Sequence, residues 1–207
     1  NIAFALTQLL QKMKKDLDLD FVYEFSKDVL YQDSSTADHR RSMIALFFSW
    51  NAMCRAGIFK NRHDIIEKII QNLFGISNER ICFRLIGYET IWSVIDSTYK
   101  STPDFQKELY DNIVNEMGQT ATPPHAESFA LWIRINRKFP GLPLKKWAST
   151  PCSSGTFRSF SSLLEKTVSY LPKIHPVWTV LASVDANQMV YNVMELWGSS
   201  KLPDGYI

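Results

Sequence analysis

The sequence predicts an all-α fold, an armadillo- or HEAT-like helical repeat solenoid, and three observations predict it. Apolar residues recur every three to four positions along most of the chain, the spacing of a helix with one buried face. Strand signals are weak, with no sustained alternation and no Asn-Gly or Asp-Gly hairpin between alternating runs. Trp50, Trp92, Trp132 and Trp178 lie 42, 40 and 46 residues apart, inside the range of two- or three-helix repeats. Chance alone can space tryptophans in hydrophobic helices this way, so the helical period carries most of the weight. The expectation is one helical-repeat segment over 1–207, with a long loop at about 140–156 separating the last helices.

The elements follow in order. Ile2-Ala3-Phe4-Ala5-Leu6, continued by Leu9 and Leu10, reads as a helix entered in its middle, which implies a piece of a longer protein. From Met43 to Ile58 the positions Ile44, Phe47, Phe48, Met53 and Ile58 make a buried face, and Gly57 supplies a stop. Ile65, Ile66, Ile69, Ile70, Leu73 and Phe74 make the next stripe, with Asp64, Glu67 and Lys68 opposite and Gly75 as the expected end. Ser77 is then the expected N-cap of a helix striped by Ile81, Leu85, Tyr88, Trp92 and Ile95. Thr102-Pro103 opens a helix with Phe105, Leu109, Ile113 and Met117 inward and Gly118 at its end. Thr122-Pro123 opens another through Phe129, Trp132, Ile133 and Asn136 to Pro140-Gly141. Gly141 to Gly155, rich in proline and serine, reads as loop. Shorter helices follow at about Phe157–Leu171, Pro176–Ser183 and Ala186–Trp197.

A chain of 207 residues with 45% hydrophobic content can bury about two-thirds of its unfolded surface, so it needs no covalent staples. Cys54, Cys82 and Cys152 match no metal or redox spacing and read as small buried hydrophobes in a reducing compartment. The richest apolar run, Met43 to Trp50, is too short to cross a bilayer, so no membrane partner is expected. No signal-peptide pattern stands at the start.

Catalytic constellations are hard to find. Asp16, Asp18 and Asp20 alternate like the carboxylates of two-metal enzymes, but they fall in the turn between the first two helices, where aspartate caps a helix and favours its dipole. A nucleic-acid enzyme would need several more converging carboxylates. His39, His63, His125 and His175 form no ligand pair with each other or with a cysteine, and His125 and His175, beside prolines, read as turn formers. Pro151-Cys152-Ser153-Ser154-Gly155-Thr156 lacks the context of a nucleophile elbow. No catalytic residue, metal ligand or cofactor is expected.

Charge distribution gives the clearest functional signal. The net charge is only +2, yet between Glu127 and Glu165 there is no acidic residue, while Arg134, Arg137, Lys138, Lys145, Lys146 and Arg158 all fall there. Arg134, Arg137 and Lys138 share a helix face at i, i+3 and i+4, and Trp147 offers a stacking surface. Cations unopposed by carboxylates attract phosphate and release its counterions, so these six residues are the candidate nucleic-acid contacts. The plainer alternative is a solvated helix face, or pairing with acids from another repeat.

Thr122-Pro123-Pro124-His125-Ala126-Glu127-Ser128-Phe129-Ala130-Leu131-Trp132, then Lys138-Phe139-Pro140, Leu142-Pro143 and Trp147, resembles the Myb-binding protein 1A and DNA polymerase V (polymerase phi) family. So does Leu163-Leu164 through His175-Pro176-Val177-Trp178. Upstream, Phe4 to Leu10 and Arg41 to Phe59 are similar to the family's N-terminal helices, whereas 61–118 departs most. The resemblance implies the N-terminal region of a large nucleolar protein of armadillo-like repeats, acting in ribosomal RNA transcription and ribosome assembly. Its implied partners are ribosome assembly factors or pre-ribosomal particles, ribosomal RNA or DNA, and transcription factors. The paired aspartates and nucleotide-binding elements of a polymerase do not occur in it, so the reading is a non-enzymatic scaffold. The alternative is a protein-binding adaptor, a transcription coregulator or transport-type solenoid that captures peptide segments.

Overall fold

Several helices begin where a side chain can answer the first free N–H groups. The computed structural model describes residues 2–13, 17–32, 36–59, 62–98, 103–117, 125–139 and 177–198, and among these there are nine helices and no strand. We number them α1 (Ile2–Met13), α2 (Leu19–Leu30), α3 (Ala37–Arg55), α4 (His63–Glu79), α5 (Ile81–Thr98), α6 (Pro103–Met117), α7 (Ala126–Lys138), α8 (Val177–Val184) and α9 (Ala186–Gly198). The fold is all-α and of helical-repeat type. The expected loop at 140–156 and the expected helix at Phe157–Leu171 lie outside the described residues.

Contacts gather in two units, Asn1–Leu109 and Tyr110–Ile207, with the division inside α6. In the first unit α2 packs on α3, α4 on α5, and α3 on both α5 and α1. Side-chain links reveal its repeat. Arg62 reaches back 42 residues to Asp20, and Tyr31 donates to Asn72, 41 residues on, so α2 is tied to α4. Asn51 donates to Ser93 across 42 residues, and Arg80 meets His39 across 41, which ties α3 to α5 and its approach. One offset serves both helix pairs. The hairpin α2–α3 is therefore followed by an equivalent hairpin α4–α5, and the Trp50–Trp92 spacing is a trace of that period.

Helix α3 starts six residues before the apolar stripe, because Thr36 caps it by accepting the His39 N–H at 3.2 Å. It ends as the glycine predicts. Gly57 takes a left-handed φ of 68°, its N–H bonds the Cys54 carbonyl at 2.9 Å, and Ile58 N–H bonds that of Met53 at 3.0 Å. This is the paired closure of a Schellman motif, sealed by buried Met53 and Ile58. Phe47, Met53 and Ile58 are buried as expected, but Ile44 and Phe48 are exposed. The core stripe runs instead through His39, Met43, Phe47, Trp50 and Cys54, about 100° round the helix.

Two expected boundaries move. Helix α4 runs past Gly75 to Glu79, so Gly75 does not close it. Ser77 is no N-cap; it is buried inside α4. A side chain at Gly87 would overlap the Ser77 hydroxyl, so that glycine is what lets α5 press close to α4. Phe74 meets Tyr88 edge-on at 5.9 Å, the Tyr88 hydroxyl donates to Asn78 at 2.9 Å, and Arg84 donates to the Ser77 carbonyl at 3.1 Å, so later positions of α4 meet earlier ones of α5 and the hairpin is antiparallel. Helix α5 lies against both α3 and α4 and buries Phe83, Tyr88, Ile91, Val94 and Ile95, so its apolar residues run round it rather than along the single stripe expected.

Helix α6 buries Leu109, Ile113 and Met117 as its stripe predicts. In the second unit α8 packs on α7 and on α9. Asp185 joins α8 to α9 and caps the latter by accepting the Gln188 N–H at 2.9 Å. No described helix is long and apolar enough to cross a membrane.

Candidate nucleic-acid interface

The candidate strip begins on α7, whose local structure decides what its cations can reach. His125 stands at the N-cap position in extended backbone, and Ser128 Oγ accepts its N–H at 3.2 Å while donating to its carbonyl at 2.8 Å. The helix thus opens at Ala126, three residues later than Pro123 suggested. From there Ala126 through Ile133 is continuously buried, together with Ile135. Phe129 and Trp132 stack at 5.2 Å with their planes 12° apart. Asn136, half-buried, turns its amide back to the Trp132 carbonyl at 2.9 Å.

A helix buried on nearly every side can show polar groups only at its end. That is where the basic residues fall. Arg134 and Lys138 are half-buried and Arg137 is exposed, one turn or less from the C-terminus. Lys138 Nζ lies 5.9 Å from the Phe139 ring centre. Arg137 and Lys138 occupy the last turn, where their charges favour the helix dipole by a few tenths to about 1 kcal/mol each. The three cations therefore form an end cluster rather than a stripe along a wet face. Lys145, Lys146 and Arg158, and Trp147 with them, lie outside the described residues.

The acidic string resolves into structural roles where it is described. Asp18 caps α2 by accepting the Phe21 N–H at 3.0 Å. Asp20 receives a two-pronged contact from the Arg62 guanidinium, which also bonds Asp64 at 2.9 and 3.0 Å. Arg62 holds the carboxyls of Asp20 and Asp64 below their usual range, and they in turn push Arg62 further up. This clamp joins the first turn of α2 to that of α4. Sequence spacing could not have found it, since its members are 42 residues apart. Asp16 lies outside the described residues, and among these no group of His, Cys, Asp or Glu could hold a metal ion.

The cysteines divide. Cys54 is buried, and that burial pushes its thiol up to about 12, so it behaves as a small hydrophobe. Cys82 is exposed at the start of α5, against expectation, because α5 turns Phe83 rather than its neighbour to the core. Cys152 lies outside the described residues.

A family model described as DNA polymerase phi matches residues 1–192 of the chain. No curated protein and no solved structure matches it significantly.

Proposed function

Because the chain belongs to the DNA polymerase phi family, we propose that it is a non-enzymatic nucleolar scaffold that binds pre-ribosomal particles, ribosomal RNA or ribosomal DNA through its helical-repeat surface. The family points to a nuclear protein, and the match over residues 1–192 is the observation that carries the reading. Two further features support it. Repeated helical hairpins at one offset build long surfaces suited to large partners rather than a closed pocket suited to a small substrate. The basic end of α7 places Arg134, Arg137 and Lys138 within one turn of each other, where they can meet phosphate, and Lys145, Lys146 and Arg158 follow them in a stretch free of acids. Ribosome assembly factors and transcription factors are the protein partners this reading includes.

Titrating salt against a structured ribosomal RNA fragment tests it. Binding weakens as salt rises, and replacing Arg134, Arg137 and Lys138 with Glu flattens the logarithmic salt slope by about 2–3. Binding indifferent to salt, or unchanged by the triple replacement, removes these residues from the interface. Partners that survive nuclease treatment of a purified complex favour the adaptor reading.

A further inference from the structure

The solvent side of α2 carries a feature that neither folding nor the basic strip uses. Its core side is Tyr23, Ser26 and Leu30. Half a turn away, Phe21 is 68% exposed and Phe25 62% exposed, four residues apart and so side by side on one face. Exposed Asp18, the N-cap, stands before them and exposed Asp28 continues the line after them. Positions 21, 25 and 28 follow the alternating three-four spacing of a helix seam, the pattern by which one helix packs along another, and the N-cap Asp18 stands just before them. Here that seam is aromatic at its centre and acidic at both ends.

Charge narrows what can lie on it. Exposed Glu24 flanks the phenylalanines, and Lys27 is the single base of α2, already bonded to Glu24 at 2.7 Å. Asp18 accepts the Phe21 N–H through one carboxylate oxygen. An acidic rim repels phosphate, so neither nucleic acid nor an anionic membrane suits this face. A cationic helix suits it at every position. We infer that α2 docks an amphipathic helix of a protein partner, one that sets two apolar residues against Phe21 and Phe25 and carries Lys or Arg a turn beyond each to meet Asp18 and Asp28. The inference concerns a different surface and a different class of partner from the basic end of α7, and it stands or falls apart from that reading.

The test uses the full 207-residue chain and two labelled synthetic helices. Both carry paired leucines four apart, flanked by Arg in one and by Glu in the other, and fluorescence anisotropy reads their binding. The Arg helix binds at least tenfold more tightly than the Glu helix. The double variant Phe21→Ser, Phe25→Ser, with its helical circular dichroism unchanged, lowers that affinity at least tenfold. The double variant Glu24→Lys, Asp28→Lys inverts the preference toward the Glu helix. Equal binding of the two helices overturns the inference, as does binding that ignores the phenylalanine pair. Light scattering showing that the chain instead pairs with its own copy through Phe21 and Phe25 overturns it too.

Discussion

Helices α2 and α4 hold the same place in successive hairpins, yet they sit in opposite environments. Helix α4 buries Ile65, Ile66, Ile69, Ile70, Leu73, Phe74 and Ser77, because α5 covers one flank while α2 reaches across another through Asp20, Tyr23 and Tyr31. Helix α2 buries only Tyr23, Ser26 and Leu30 and leaves two phenylalanines wet. A repeat therefore fixes spacing and direction, while the number of neighbours fixes how much of each helix is dry. Apolar residues beyond what those neighbours can cover are available for recognition.

The largest effect that sharpens this contrast is expected at Phe74. Phe74→Ala leaves a cavity beside Tyr88 and costs about 3–5 kcal/mol, read from the shift of the urea unfolding midpoint. A smaller loss, about 1–3 kcal/mol, is expected for Gly87→Ala, which forces the new methyl against Ser77 and pries α4 from α5. If that variant is as stable as the parent, the close approach of the two helices is not what sets their packing. Gly75→Ala has the opposite sign. A methyl there meets open space, so helix propensity alone acts, and a gain of up to about 1 kcal/mol is expected in the same assay.

The clamp at Arg62 has an acid limb. Asp20 and Asp64 have folded-state values below 3.8, so the stability they add is full above that value and is lost as pH falls through the depressed ones. Urea midpoints followed from about pH 5 to pH 2 decline less steeply in Asp20→Asn than in the parent; matching slopes would show that the clamp does not titrate with folding. The smallest effect belongs to α2. Phe21→Ser with Phe25→Ser changes stability by no more than about 0.5 kcal/mol, since both rings already face water. A loss of several kcal/mol would place those rings in the core and end the contrast with α4.

Much of this was legible in the residues. The stripe of Ile65, Ile66, Ile69, Ile70, Leu73 and Phe74 is the buried face of α4, Gly57 ends α3, and Asp18 caps α2, because period, left-handed backbone and capping are local chemistry. Other features were not legible, because they depend on neighbours. Gly75 and Ser77 looked like a stop and a start, but packing against α5 carries α4 through both. Ile44, Phe48 and Cys82 looked buried, but the helices around them cover other faces. Arg134, Arg137 and Lys138 do share a face at i, i+3 and i+4, yet burial of the rest of α7 makes them an end cluster.

Apolar period, caps and composition act within a few residues, and they set the helical class, most helix positions and the uneven charge. Only the tertiary structure decided the 41- and 42-residue ties, the three-member clamp on Arg62 and which apolar side chains stay wet. The physical reason is distance along the chain: burial and pairing depend on which surfaces meet, and segments some forty residues apart leave no local mark of their meeting.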